Sequence, residues 1–365
     1  MPSNSLRVLR RRVITVFSIP LILPGCALGR VASNASPPGS QVDVRFEPDE
    51  AEAALAILNQ RLQGQSPTIA DWRRLFDSHG YQHLREREAS MGRAFTDSSF
   101  TVFLMSDTLL RRAPLLGRTL RLLERLDVSA AAHRSLKYLP AGTRLRARLY
   151  LEIKPRTNSF VFTGRDSTPS IFLYVNPRET PAQVDNTIAH ELHHIGLNSA
   201  CPEPPLLNAT PAQQTLLRFL SAFGEGQAML AAAGSPSIHP HTADDDTVRA
   251  RWDRDVARSS ANVDELSRFF NSVLDGRITS ADSVRAEAFT YFGVQGPWYT
   301  VGWLMASTIE RELGRDALVG SLCEPTRFIA LYNDAAQPAN ARGAGLPIWN
   351  PALVARLVAL RAAAN

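Results

Sequence analysis

Thr187-Ile188-Ala189-His190-Glu191-Leu192-His193-His194-Ile195-Gly196 contains, at His190, Glu191 and His194, the spacing His-Glu-x-x-His. On a helix, residues four apart lie about 40° apart on one face, so His190 and His194 can aim both imidazoles at one point from successive turns. Glu191 falls about 100° round from His190 and about 60° from His194, where a carboxylate can reach a water at that point without displacing either imidazole. The pattern therefore predicts a two-histidine metal clamp with Glu191 as general base. His193 points away from Glu191 and is expected to pack or to support the site rather than to ligate.

Helix signals frame the stretch. Thr180-Pro181-Ala182-Gln183 is a capping box with proline at the first helical position. Val184, Ile188, Leu192 and Ile195 form an apolar stripe, and Gly196 is expected to end the helix. A catalytic zinc takes three protein ligands and keeps one position open. The third is expected from Glu225, in Phe223-Gly224-Glu225-Gly226-Gln227-Ala228, within a second helix opened by Thr210-Pro211-Ala212-Gln213. Each glycine inside a helix costs roughly 1 kcal/mol relative to alanine, so the pair flanking Glu225 suggests close approach to another element; a helix break beside a solvated Glu225 is the alternative. Glu203, in the intervening proline-rich loop, is a weaker rival for the third position.

His190-Glu191-Leu192-His193-His194, followed 31 positions after its last histidine by Glu225-Gly226-Gln227-Ala228, resembles the gluzincin class of zinc metallopeptidases, and in particular a group of uncharacterised bacterial zinc-dependent peptidases. The resemblance runs roughly from Ala147 to Leu313. It implies one catalytic Zn2+ on His190, His194 and Glu225, Glu191 as catalytic base, a peptide or protein substrate and a zincin-like fold. The Asn-Glu-x-x-Ser-Asp signature of thermolysin-type enzymes is unmatched, since Gly224 precedes Glu225 and Ala228-Met229 stand in place of Ser-Asp. The aminopeptidase segment Gly-x-Met-Glu-Asn does not occur, and the third histidine of a metzincin would fall at Ala200. The choice between endo- and exopeptidase stays open.

The chain has 365 residues, 44% hydrophobic and 21% charged, a globular composition large enough for one big domain or two lobes. Net charge is +5, but Arg7, Arg10, Arg11 and Arg12 all precede Cys26, so a chain starting there carries roughly +1. No basic block interleaves with aromatics, which argues against a nucleic-acid partner. Residues 1–25 read as a signal peptide: the arginine run, then apolar Val13 to Leu23, then Pro24-Gly25-Cys26. Leu23-Pro24-Gly25-Cys26 resembles a lipoprotein cleavage box that would place lipid on Cys26 and the protein in a bacterial cell envelope. Cleavage after Gly29 or Ser33, or twin-arginine export through Arg10-Arg11, are the alternatives, and each still carries the chain out of the cytoplasm. Residues 26–44 are expected to be a flexible tether. Cys201 and Cys323 remain as a disulfide or as two buried thiols.

Residues 45–143 read as an N-terminal helical region, with helices over Asp49 to Leu62 and Ala70 to Phe76 and further helical patterning from Phe100 to Asp127 interrupted at Pro114. Residues 144–233 are the expected catalytic core. There Leu145 to Lys154 alternates as a half-buried strand, and Ile171 to Val175 is a second strand leading into the motif helix. An edge strand of that sheet is expected to pair with extended substrate, as in the gluzincins this region resembles. Residues 234–365 form a C-terminal helical region, entered through a solvated loop holding His239-Pro240-His241 and Asp244-Asp245-Asp246. Within it Gly296-Pro297-Trp298-Tyr299 opens a helix that Gly314 closes. Tyr299 is a candidate catalytic donor for an oxyanion, or else a core residue packed with Trp298 and Trp303. The expectation is a mainly α, α+β fold with a small sheet. Its leading function is an exported zinc metallopeptidase, set against a non-catalytic envelope lipoprotein that keeps the fold as a binding module.

Overall fold

The computed structural model describes residues 41–364 apart from 157–158, 164–167 and 204. The expected signal peptide, Cys26 and most of the tether lie outside the described residues. Strand β1 (Val42–Glu47) opens the described chain. It claims Val42, Asp43 and Val44 from the expected tether, because Val42 to Glu47 pair in parallel with Leu145 to Tyr150. Six helices follow: α1 (Asp49–Leu62), α2 (Ile69–Phe76), α3 (His79–Ser90), α4 (Asp97–Leu104), α5 (Asp107–Leu123) and α6 (Val128–Leu136). Pro114 does not interrupt α5. It lies inside the helix with its ring exposed. Strands β2 (Leu145–Glu152), β3 (Phe160–Thr163) and β4 (Pro169–Tyr174) complete a sheet of order β1-β2-β4-β3, in which only β3 runs antiparallel to its neighbour. The result is the mainly α, α+β fold that the pattern predicts.

The alternation in β2 holds over its first half, where Leu145, Ala147 and Leu149 are buried and Arg146 is exposed. Its second half is covered on both faces. Tyr150, Phe172 and Phe160 are register partners across three strands and stack as a ladder, with centroid separations of 5.0 and 4.9 Å. Helix α3 lies over that ladder, with the His83 ring 5.3 Å from Tyr150 and the Arg87 guanidinium 4.0 Å above Phe160. Glu152 and Lys154 are therefore buried rather than solvated, and they meet as an ion pair at 2.9 Å.

From β4 the chain enters α7 (Pro181–Ala200), which begins at the expected capping box: Thr180 accepts from the Gln183 amide and Gln183 accepts from the Thr180 amide. Gly196 does not end it. A Cβ there would sit 2.3 Å from Leu139 Cδ1 and 2.8 Å from Leu145 Cδ2, so the glycine serves close approach of α7 to the start of β2. Nine more helices complete the chain: α8 (Pro211–Phe219), α9 (Gly224–Ala233), α10 (Asp246–Ala257), α11 (Ser259–Leu274), α12 (Ala281–Thr290), α13 (Pro297–Leu313), α14 (Arg315–Val319), α15 (Pro325–Ala341) and α16 (Pro351–Ala364). A 3-10 turn over Leu220–Phe223 separates α8 from α9, so Glu225 rides on its own short helix rather than on the one opened by Thr210.

Apolar burial falls into two cores. One joins the sheet to α1–α6 and a face of α7; the other gathers α8, α9 and the later helices, and Leu197 of α7 packs against both. The cores are also cross-linked, because Cys201 at the end of α7 and Cys323 between α14 and α15 form a disulfide with Cα atoms 5.0 Å apart. The bond closes a loop over a sequence separation of 122, which restricts the unfolded chain far more than the folded one. Replacing both cysteines by serine is expected to lower stability by about 2–4 kcal/mol in urea unfolding. An unchanged midpoint would remove the cross-link from the account of stability.

Candidate metal centre

Burial of α7 on its neighbours orients the motif. Glu191 and His193 are fully buried, His190 is 8% exposed, and the His194 side chain is 13% exposed. Helix α9 packs beside α7 and brings in Glu225, which is 4% exposed. The two imidazole Nε2 atoms lie 3.0 Å apart, and Glu225 Oε2 lies 3.2 Å from His190 Nε2 and 3.3 Å from His194 Nε2. These three atoms form a nearly equilateral triangle. Tetrahedral zinc with bonds of about 2.0–2.1 Å needs ligand atoms about 3.3 Å apart, so the donor set fits in both kind and spacing. With a cation bound, all three atoms would face it as lone-pair donors, in place of the imidazole-to-carboxylate hydrogen bonds that link them here. Among the described residues this is the group of three or more His, Cys, Asp or Glu side chains able to hold a metal ion.

The electrostatics follow from the burial. Burial alone would raise the Glu225 carboxyl, but His194 and His190 outweigh it and hold Glu225 well below the usual carboxylate range. Burial depresses His194, yet the charges of Glu225 and Glu191 reverse the sign and raise it. His193 behaves differently. Burial, with His194 adjacent, pushes it down to about 3, so it is neutral and its Nε2–H donates to the Tyr138 carbonyl at 3.1 Å. It supports the helix and stays out of the ligand triangle, as its position predicts.

Tyr299, in the first turn of α13, reaches the same centre. Its ring lies 6.5 Å from that of His190 and nearly parallel to it, and its hydroxyl hydrogen-bonds Glu225. Burial, then the charges of Glu225 and Glu191, raises the phenol well above its ordinary range, so it stays protonated as a donor. Core packing holds alongside this, since Tyr299 is 7% exposed and belongs to one buried apolar cluster with Trp298, against which Trp303 also packs; the Phe292 ring lies 6.5 Å away. Glu203, though only nine positions after His194, is not drawn into the centre: it is half exposed and pairs with Arg218.

The loop from 234 to 246 is less solvated than expected. Asp245 does cap α10, accepting from the Val248 amide. His241, however, is 5% exposed: it bonds Asp244 at 2.7 Å and Gln295 at 2.8 Å, and Asp244 also accepts from Gln183 at 2.7 Å. This chain of polar contacts ties the first turn of α7 to the segment just before α13, the two helices that carry His190 and Tyr299. The sequence holds no signal for it, because each link joins residues far apart in the chain. Among the described residues Gln295 is also the non-glycine residue with positive φ, at 63°, so its neighbours must hold it there.

A model of the DUF5700 family, described as "Putative zinc dependent peptidase", matches residues 72–341. No curated protein and no solved structure matches the chain. The matched segment covers roughly three quarters of the sequence and contains the motif helix, the Glu225 helix and the helix of Tyr299. The chain belongs to this family, whose description names the metal that the His190, His194 and Glu225 triangle fits.

Proposed function

We propose that the protein is a zinc metallopeptidase that works outside the cytoplasm. The observation that carries this is the placement of buried Glu191 beside a three-atom triangle of spacing suited to zinc, since a purely structural metal site has no use for an adjacent base. Zinc on His190, His194 and Glu225 would supply Lewis acidity, making water a nucleophile near neutral pH and polarising the scissile carbonyl. Glu191 would accept the proton of the attacking water and deliver it to the leaving amine. Tyr299 would direct its hydroxyl to the oxygen that gains charge, moving from the Glu225 carboxylate that it bonds in this structure. Zinc content by mass spectrometry, together with hydrolysis of a mixed peptide library, tests the reading. Stoichiometric zinc with no cleavage of any library member would leave the non-catalytic binding module in its place.

Tyr299→Phe separates the phenol from the rest. Turnover is expected to fall by about ten-fold or more with zinc content unchanged, as for loss of one oxyanion donor. Turnover equal to that of the wild type would make Tyr299 a support for Glu225 alone.

Location outside the cytoplasm is supported by the arginine run and apolar segment before Cys26 and by the Cys201–Cys323 disulfide, a bond that persists in oxidising compartments. Lipid on Cys26 would tether the enzyme to the envelope, facing the periplasm. The mass of the mature N-terminus decides this. A free N-terminus beyond Cys26 removes the anchor, and retention of Met1 in a cytosolic fraction removes export as well.

A further inference from the structure

The aromatic ladder of the sheet ends, at Phe160, in a cleft of about 360 Å3 to which none of the metal-centre residues contributes. Leu84, Phe95, Phe103 and Phe160 give it apolar walls, and Glu88 and Lys154, 4% and 2% exposed, lie at its base. Arg93 and Arg156 line it as well, and their side chains are 31% and 61% exposed. Concave apolar walls with a few convergent polar groups are what small-molecule sites are made of.

The charges there do not cancel. Lys154 is matched by Glu152 at 2.9 Å. Glu88 is then faced by three guanidinium groups: Arg87 hydrogen-bonds it, Arg93 reaches it only at 3.3 and 3.4 Å, and Arg156 stands at 3.8 Å. A charge-assisted N–H to carboxylate bond is about 2.7–2.9 Å long, so Arg93 is weakly held and Arg156 is not hydrogen-bonded to Glu88 at all. Among the described residues no other carboxylate pairs with Arg93 or Arg156. Glu50, buried near Glu152, does not offset the excess, because burial and then the Glu152 charge raise its carboxyl well above the usual range. Among the described residues, two arginines with donors not taken up by a carboxylate thus stand beside an aromatic-walled cleft.

We propose that this cleft binds a monocarboxylate with an apolar body, its carboxylate bridged by Arg93 and Arg156 and its body laid against Phe95, Phe103 and Phe160. A planar guanidinium pair matches a carboxylate in shape as well as charge, and a neutral ligand would leave that charge unused, while the apolar walls favour a ligand with an apolar body. The same chemistry is offered by a free aryl or alkyl acid and by the C-terminal end of a peptide closing on an apolar residue. The proposal stands apart from the peptidase reading, since its readout is binding.

Titration calorimetry of the full chain with 4-phenylbutyrate and with N-acetylphenylalanine tests it, with 4-phenylbutyramide as the uncharged counterpart. One site is expected for at least one acid, and the stronger of the two identifies the source. The amide should bind at least about ten-fold more weakly, and so should either acid to Arg156→Gln and to the Arg93→Gln, Arg156→Gln double variant. Arg156→Gln changes a side chain that is 61% exposed, so its fold is preserved even if loss of Arg93 disturbs Glu88. Absence of binding by both acids, binding of the amide as tight as the acid, or undiminished binding to Arg156→Gln and the double variant would each overturn the assignment.

Discussion

Glu191→Gln is expected to keep zinc at near one equivalent while peptide hydrolysis falls by roughly 10²- to 10⁴-fold, the range that proton transfer by a positioned side chain contributes. Glutamine preserves the size and helix propensity of glutamate, and the three ligand atoms come from His190, His194 and Glu225, so the substitution removes a base and little else. His194→Ala should differ in kind. His194 Nε2 is one corner of the triangle, 3.0 Å from His190 Nε2, and without it two donors remain where zinc needs three. Metal content and activity should then fall together. Paired measurements of bound zinc and of turnover for both variants separate chemistry from scaffolding. Should Glu191→Gln cleave as fast as the wild type, the general-base role is wrong, and the metal would have to be assigned to structure or binding.

The parts of this site that could be read from the sequence are those carried by local chemistry. The Thr180 to Gln183 capping box fixes where α7 begins, and the four-residue histidine spacing then places His190 and His194 on one face. Glu225 is legible in part: its flanking glycines point to a close approach, which Gly226 makes against the backbone of α13, while Gly224 faces Leu197 of α7 at ordinary contact distance. What stayed hidden depends on main-chain groups or on distant partners. The Tyr138 carbonyl that holds His193 has no side-chain signature, and the His241, Asp244, Gln183 and Gln295 contacts unite four separate segments. Strand β1 does carry a local signal, since Val42, Val44 and Phe46 alternate with Asp43, Arg45 and Glu47, but its place beside β2 rests on pairing with residues a hundred positions later. Gly196 misled for a related reason: a glycine that makes room for Leu139 and Leu145 looks, from the chain alone, like one that ends a helix.

The two glycines beside Glu225 make the second large prediction, because they should respond in opposite directions to the same change. At Gly226 a Cβ would fall 2.0 Å from Trp303 N, 2.3 Å from Gly302 C and 2.5 Å from Tyr299 O. All three are backbone atoms of α13, which cannot swing aside as a side-chain tip can. At Gly302 the reciprocal Cβ would meet Phe223 O at 2.6 Å, so each helix presents its glycine to the backbone of the other. Alanine at Gly226 gains about 1 kcal/mol of helix propensity, while forcing one extra carbon into a packed interior typically costs about 1–3 kcal/mol and more against fixed backbone. The clash should win, lowering stability by about 2 kcal/mol or more in urea unfolding. Separation of α9 from α13 would also shift Glu225 relative to Tyr299 and the histidines, so zinc should dissociate faster from Gly226→Ala than from the wild type. At Gly224 the nearest atom to an added Cβ is Leu197 Cδ2 at 3.8 Å, an ordinary contact, and its backbone is already helical. Gly224→Ala should therefore be neutral or stabilising by up to about 1 kcal/mol, with zinc release unchanged. Equal stabilities for the two variants would mean that the glycine-to-glycine crossing does not set the position of Glu225, and the fixed geometry of the third ligand would need another cause.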